Sequence, residues 1–179
     1  MRVAIVTLLL VLAMSAFEDD RVHELPECSL TTKMYSGYLT TKKDHKETHY
    51  VLVESEDSPA DDPLLIWFNG GPGCSSLLGM FMELGPCVVD DGETEFFTNP
   101  HPWNERANVL FIEQPAGVGF SWANTTDDMK FDDLISSRDN LIALKHFYEK
   151  FPEYKGRDLY ISGESYAGIY VPYLAFRIH

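Results

Sequence analysis

The chain has 179 residues, 45% of them hydrophobic, 13% aromatic and 23% charged, with a formal net charge of −14. That mixture belongs to a folded globular protein and excludes a disordered one. The negative excess argues against nucleic acid or an anionic membrane surface as partner, because both would be repelled, and it suits a protein kept soluble in an acidic compartment.

The chain opens with Met1-Arg2, a single basic residue, and Val3 to Met14 is apolar apart from Thr7. Small residues Ala13, Ser15 and Ala16 follow, then the acidic run Glu18-Asp19-Asp20. This is the order of a signal peptide, with residues 1–16 as the leader and 17–179 as the remaining domain. A membrane anchor would need roughly 20 apolar residues, which this run does not supply. No later stretch is apolar enough to span a membrane, so the mature chain is expected to be soluble and secreted or vacuolar/lysosomal. The triplet Asn124-Thr125-Thr126 is a glycosylation acceptor, meaningful only in such a compartment.

Further along, Tyr35 to Thr41 and Thr48 to Glu54 alternate as strands do, and the polar Thr41-Lys42-Lys43-Asp44-His45 between them predicts a hairpin. Ser55 to Asp62 is acidic and contains proline, a surface loop. Pro63-Leu64-Leu65-Ile66-Trp67-Phe68 is a continuous apolar run, as in a strand buried on both faces. It enters a tight loop, Asn69-Gly70-Gly71-Pro72-Gly73, after which Cys74 to Leu84 has helical spacing. Ala107 to Ile112 is a second buried strand, followed by a loop carrying Pro115, Gly117 and Gly119.

Asp127 and Asp128 are placed to cap a long helix from about Phe131 to Phe151, stopped by Pro152. Its apolar stripe reads as Phe131, Leu134, Ile135, Leu141, Ile142, Leu144 and Tyr148. Asp158 to Ser162 is a third buried strand, and Gly163-Glu164-Ser165-Tyr166-Ala167-Gly168 leads from it into a last helix. Buried strands alternating with helices, opened by an antiparallel hairpin, predict an α/β domain with a mostly parallel sheet. A sheet of that kind is expected to continue past a nucleophile-bearing turn, so the domain reads as incomplete.

Strand, sharp turn with a central serine, helix is the nucleophile elbow, and Ser165 is its nucleophile. A hydroxyl is a poor nucleophile and must stand where a base can reach its proton. The residues two positions either side come close together, so they must be small, as Gly163 and Ala167 are; the strict pattern has glycine where Ala167 stands. An oxyanion hole needs two backbone N–H groups aimed at one point. One is supplied by the residue after the nucleophile, Tyr166, and the other by a glycine-rich loop after an earlier strand, here the Asn69–Gly73 loop.

These residues resemble the serine carboxypeptidases, α/β-hydrolases whose signature looks like Trp67-Phe68-Asn69-Gly70-Gly71-Pro72-Gly73-Cys74-Ser75-Ser76. Glu83-Leu84-Gly85-Pro86, Asn99-Pro100 with Trp103-Asn104, and Ala107-Asn108-Val109-Leu110-Phe111 add to the resemblance. So do Gln114-Pro115-Ala116-Gly117-Val118-Gly119-Phe120-Ser121 and the Gly163–Gly168 turn; the likeness runs from about Cys28 to the end.

The resemblance implies that Ser165 is acylated, with the Gly71 and Tyr166 N–H groups as the oxyanion hole. Asn69, the Gly70 N–H and Glu164 would hold the substrate's C-terminal carboxylate, with Glu164 hydrogen-bonded to Glu83. Two neighbouring carboxyls raise one another's pKa, and a protonated carboxyl can meet a carboxylate, so such a site binds best in acid. The implied activity is release of C-terminal amino acids from peptides and proteins, with no cofactor. The family's triad runs Ser, Asp, His, and only fourteen residues follow Ser165 here, with no Asp and only the terminal His179. The chain is therefore expected to lack its base and to be inactive alone.

Three cysteines, Cys28, Cys74 and Cys87, are an odd number for a secreted chain. The resemblance pairs Cys74 with a cysteine beyond His179 and leaves the partners of Cys28 and Cys87 open. No cysteine or histidine spacing suggests a metal site; His45 and His49 sit four apart, but in a strand or turn, where they do not converge. His23, His101 and His146 read as surface or packing residues. Acyl transfer, a lipase or esterase activity, and a non-enzymatic role stand as alternatives, though a lipase has no use for a carboxylate-binding glutamate beside its nucleophile.

Overall fold

The computed structural model describes residues 18–89, 92 and 94–179. The expected leader, 1–16, lies outside them. Among the described residues no helix is long and apolar enough to cross a membrane.

A short strand β1 (Arg21–Val22) starts a seven-stranded sheet, and the expected hairpin follows as β2 (Met34–Lys42) and β3 (Lys46–Val53). β4 (Leu64–Phe68) leads through the glycine-rich loop to α1 (Leu77–Gly79), which continues into a π-helical turn, Met80–Leu84. β5 (Cys87–Val88) and β6 (Phe97–Thr98) form a separate two-stranded ribbon. β7 (Asn108–Ile112) and the short β8 (Trp122–Ala123) precede α2 (Asp133–Lys150). β9 (Leu159–Gly163) and α3 (Ala167–Ile178) close the order.

In the large sheet the strands lie in the order β1-β2-β3-β7-β4-β9, with β8 on β3. The hairpin pairs antiparallel, β3 joins β7 antiparallel, and β4 is parallel to both β7 and β9. The parallel trio fits its apolar runs. β7 is buried along its whole length, and its side chains alternate between two cores. Leu110 and Ile112 join Tyr50, Leu52, Ile66 and Phe68 beneath Phe147 and Phe151 of the α2 end and Leu174 of α3. Val109 and Phe111 face the other way, with Val51, Trp67, Met80 and Leu84. Each fully buried aromatic or aliphatic side chain contributes about 1.5–3 kcal/mol.

Four expectations need correction. β9 is not buried on both faces: among the described residues it pairs with β4 alone, and Tyr160 is 56% exposed. The helical spacing from Cys74 to Leu84 becomes a three-residue α-helix and a π-turn, closed by Gly85 N–H donating to Met80 C=O at 3.0 Å. A side chain at Gly85 would strike that carbonyl, its Cβ lying 2.1 Å away.

The cap of α2 is Asp132, whose carboxylate accepts from Ile135 N–H at 2.7 Å. Asp127 instead pairs with Lys130, and Asp128 with Lys42 and Thr125, in the turn before the helix. Finally, only the second half of the stripe on α2 packs as its apolar residues suggest: Leu144 is buried and Leu141 and Tyr148 pack against the same core. Leu134 is 60% exposed, and Ser136, Ser137 and Asn140 are buried. The first half of α2 rests on polar groups: Asn140 donates to Gln114 Oε1, and Ser137 Oγ accepts from Arg177 Nε at 2.6 Å.

Capping sets an expected outcome. Asp132→Ala should lower stability by about 1 kcal/mol in chemical denaturation, the usual cost of a lost N-cap. Asp127→Ala should shift it by no more than about 0.5 kcal/mol, since its ion pair is fully solvated.

Candidate active site

Parallel strands deliver their following loops to one sheet edge. The register Leu64↔Asn108 and Leu64↔Leu159 puts the carboxyl ends of β7, β4 and β9 side by side. Three loops therefore meet there: 113–121 after β7, 69–76 after β4, and 164–166 after β9.

Ser165 occupies the turn between β9 and α3 with φ 55°, a left-handed conformation that costs a non-glycine residue of order 1 kcal/mol or more. It is exposed. The turn is closed by Ala167 N–H donating to Glu164 C=O at 2.9 Å and Gly168 N–H to Ser165 C=O at 3.0 Å. A Cβ on Gly163 would lie 2.4 Å from Phe68 C=O and 2.6 Å from Ala167 Cβ. The flanking positions are thus in contact, and Gly163 leaves the room that Ala167's methyl fills.

The glycine-rich loop packs directly on this elbow. A Cβ on Gly70 would fall 2.5 Å from Tyr166 N, 2.8 Å from Glu164 O and 3.0 Å from Ser165 Cβ. Only glycine allows that approach. Next to it Gly71 turns the chain with φ 104°, and Cys74 N–H returns to Gly70 C=O at 3.0 Å. Tyr166 is steadied from its far end, its hydroxyl donating to Asp133 at 3.1 Å.

Asn69 is buried, and its amide orientation is fixed by its partners. Trp67 Nε1–H and Gly79 N–H, which can only donate, both point at Oδ1, at 2.8 and 3.1 Å. Nδ2 is left to face carboxyls, and it donates to Glu164 Oε1 at 3.1 Å. The Glu83 side chain also takes a hydrogen bond from Asn69. Desolvation raises the Glu83 pKa, the negative charge of Glu164 raises it further, and the Asn69 bond opposes both.

Asn69, Gly70, Gly71, Glu83, Glu164, Ser165 and Tyr166 are accordingly gathered at one edge by three separate elements. The arrangement can present a hydroxyl, backbone N–H donors and a carboxyl pair to one bound group. Among the described residues the imidazoles with partners lie elsewhere: His49 with Ser36 and Glu113, His146 with Thr40 N–H, and His45 near Asp128. No group of three His, Cys, Asp or Glu among the described residues could hold a metal ion.

Cys74 is exposed and unpaired, beside Gly71. Cys28 and Cys87, whose partners the sequence left open, are joined to each other with Cα atoms 5.9 Å apart. Asn124 is exposed at the end of β8, its amide donating to Asp44 C=O in the hairpin turn, away from the other candidate residues. Sequence reasoning missed Glu113, which is fully buried and bonded to Ser75 of the glycine-rich loop. Its only sequence signal was a carboxylate at the end of a buried strand, just before a Pro/Gly loop.

The profile of the family described as serine carboxypeptidase matches residues 26–179. The Caenorhabditis elegans protein named serine carboxypeptidase ctsa-4.1 is 50% identical over 167 residues, covering 92% of this chain and 35% of that protein. Serine carboxypeptidase-like 36 of Arabidopsis thaliana is 49% identical over 88% of this chain and 33% of its own length. The crystal structure of Kex1(delta)p, a prohormone-processing carboxypeptidase from Saccharomyces cerevisiae, superposes with a TM-score of 0.74 at 32% identity. That match covers 90% of this chain and 38% of the yeast one. The chain thus spans about a third of the length of the curated relatives it matches.

The close seat of the loop is testable by stability. Gly70→Ala should cost about 1–3 kcal/mol, as overpacking does, because the obstructing atoms are backbone. Gly168→Ala, with nothing within 4 Å of its added methyl, should be neutral or stabilise the protein by about 0.5–1 kcal/mol as a helical site. Chemical denaturation of the two variants measures the contrast.

Proposed function

Because the chain belongs to the serine carboxypeptidase family, we propose that it carries the nucleophile and the carboxylate-binding residues of an enzyme that releases C-terminal amino acids from peptides in acid. The observation that carries this reading is the contact of the Gly70 backbone with Tyr166 N and Ser165 Cβ. It puts a glycine-rich loop and a strained serine at one point, which a merely structural turn does not need.

In this reading Ser165 Oγ attacks the scissile carbonyl and gives its proton to a histidine, which passes it to the leaving amine. The oxyanion that forms is met by the N–H groups of Gly71 and Tyr166. The terminal amino acid departs, and water hydrolyses the acyl group from Ser165. The triad's aspartate and histidine belong to sequence following Ser165. Asn69 Nδ2, the Gly70 N–H and the Glu83–Glu164 pair receive the substrate's terminal carboxylate.

The Cys28–Cys87 disulfide fits an oxidising compartment. With residues 1–16 as a leader and exposed Asn124 as a glycan acceptor, the protein belongs in the secretory pathway, secreted or vacuolar/lysosomal. Cys74 pairs with a cysteine later in the whole protein.

Two outcomes are expected of the whole protein. Ser165→Ala should abolish labelling by a fluorophosphonate probe while leaving the far-ultraviolet circular dichroism unchanged; labelling that persists would place the nucleophile elsewhere. The second concerns pH. Glu83 is held above the usual carboxylate range, so in acid it keeps a proton that a substrate carboxylate can accept as a hydrogen bond. As pH rises through that raised value the proton leaves, the pair becomes fully anionic, and binding weakens. KM for a free-acid peptide should therefore climb with pH while kcat changes less, and Glu83→Gln should flatten the climb. A C-terminally amidated peptide should show the flatter profile with the unaltered protein. Equal KM profiles for acid and amide would refute the carboxylate-binding role.

A further inference from the structure

Glu113 follows β7 and is wholly buried, as is most of His49 on β3. One carboxylate oxygen, Oε2, accepts from Phe120 N–H at 2.9 Å and lies 2.9 Å from His49 Nδ1. The other, Oε1, accepts from Ser75 Oγ–H. Glycine is forced at position 119, where a Cβ would lie within 1.8 Å of Oε1. The Glu113 backbone joins in: its C=O accepts from Ser121 Oγ, which in turn accepts from His49 N–H at 2.8 Å.

A single carboxylate thus ties together the hairpin, the loop after β7 and the glycine-rich loop. Burying a carboxylate costs several kcal/mol unless its lone pairs are well used. Burial pushes the Glu113 pKa up, but hydrogen bonds from His49, Ser75 and Phe120 N–H outweigh it and hold the group below the usual range. It is therefore ionised and makes strong, charge-assisted bonds.

What those bonds hold is one limb of the glycine-rich loop. Its upstream end is fixed without Glu113, since Asn69 is bonded to Trp67, Gly79 and Ser76. Its downstream end is fastened to the end of β7 twice, by Ser75 to the Glu113 side chain and by Ser76 Oγ–H to Ile112 C=O at 2.7 Å. Between these ends lies Gly71, in the left-handed region.

The Ser36, His49, Glu113 order, with Ser36 Oγ 2.9 Å from His49 Nε2, has the connectivity of a hydrolytic relay. Ser36, however, sits mid-strand in β2, and its N–H is spent on Asp20 C=O at 2.8 Å, so it cannot stabilise an oxyanion there. The network's outlet is Ser75.

We propose that Glu113 is a positioning residue: through Ser75, its buried carboxylate holds the Gly70–Cys74 turn so that the Gly71 N–H meets the developing oxyanion. This rests on the reading of Gly71 and Tyr166 as oxyanion donors. Misplacing one such donor by a fraction of an ångström to an ångström costs about 10- to 100-fold in rate.

The test uses the whole protein, with kcat expressed per Ser165 that a fluorophosphonate titrates. Glu113→Gln and Ser75→Ala should each lower kcat about 10- to 100-fold with KM for a free-acid peptide changed less than about threefold, because Asn69 keeps its own anchors. The double variant should be no worse than the more impaired single one, since both break the same link. Ser75→Thr, which retains the hydroxyl, should recover most of the rate. If Ser75→Ala lowers only thermal stability or the titratable fraction, leaving kcat per site unchanged, the proposal is overturned. Multiplicative losses in the double variant overturn it as well. Ser165→Ala assayed in parallel separates the two levels: if activity survives that change, the reading of the site itself fails, whatever Glu113 does.

Discussion

β4 lies between β7 and β9, parallel to both, and most of the molecule's functional geometry depends on that pairing. Parallel ladders oblige all three strands to end at the same edge, so the loops that follow them have no choice but to meet. Residues 69–76, 113–121 and 164–166 are far apart in sequence and adjacent in space for this reason alone. The pairing also dictates composition. Strands covered on both faces are apolar along their middles, as in Leu64–Phe68 and residues 109–112, and polar chemistry is displaced to their ends: buried Asn108 opens β7, and other polar groups stand at the first residue beyond a strand. Asn69 and Glu113 both stand at such positions.

Two carboxyls, Glu83 and Glu113, show how the same edge treats charge in opposite ways. Glu83 stands near the negative charge of Glu164, with one amide, Asn69 Nδ2, available to the pair; its proton is held more tightly than usual. Glu113 is more deeply buried yet gives its proton up more readily, because three donors converge on it. The difference lies in what surrounds each group, a neighbouring negative charge for Glu83 and converging donors for Glu113, since desolvation pushes both the same way. In the proposed function one carboxyl meets an anion and the other acts as a fixed anchor, both beside one sheet edge.

Much of this was legible in the residues. The hairpin, the parallel strands and the serine elbow followed from alternation, apolar runs and a small-residue turn, signals that depend only on neighbours in sequence. What escaped depended on partners far away. The polar underside of α2 could not be inferred, because Ser137 and Asn140 are buried where Arg177 and Gln114 come to meet them. The cap fell to Asp132 rather than Asp127 because Lys42 and Thr125 engage the earlier acidic turn. β9 looked like its neighbours in sequence, and its partial exposure reflects having β4 alone beside it among the described residues. The Cys28–Cys87 pairing required knowing that the segment before the hairpin crosses to β5, a path no local pattern encodes.

At the serine turn, the two small positions are not equivalent. Position 163 is confined by Phe68 C=O and by the methyl of Ala167, whereas that methyl itself lies in the main core, where Ala167 is fully buried. A side chain at 163 would therefore require moving a strand backbone, whereas the methyl at 167 occupies the space that a bare 163 and the surrounding core leave it. Mutational tolerance across the turn is thus one-sided: a methyl fits at 167, two positions after Ser165, only because glycine is kept at 163, two positions before it. A sequence filter that insists on glycine at both positions would discard this chain for a substitution that the geometry already accommodates.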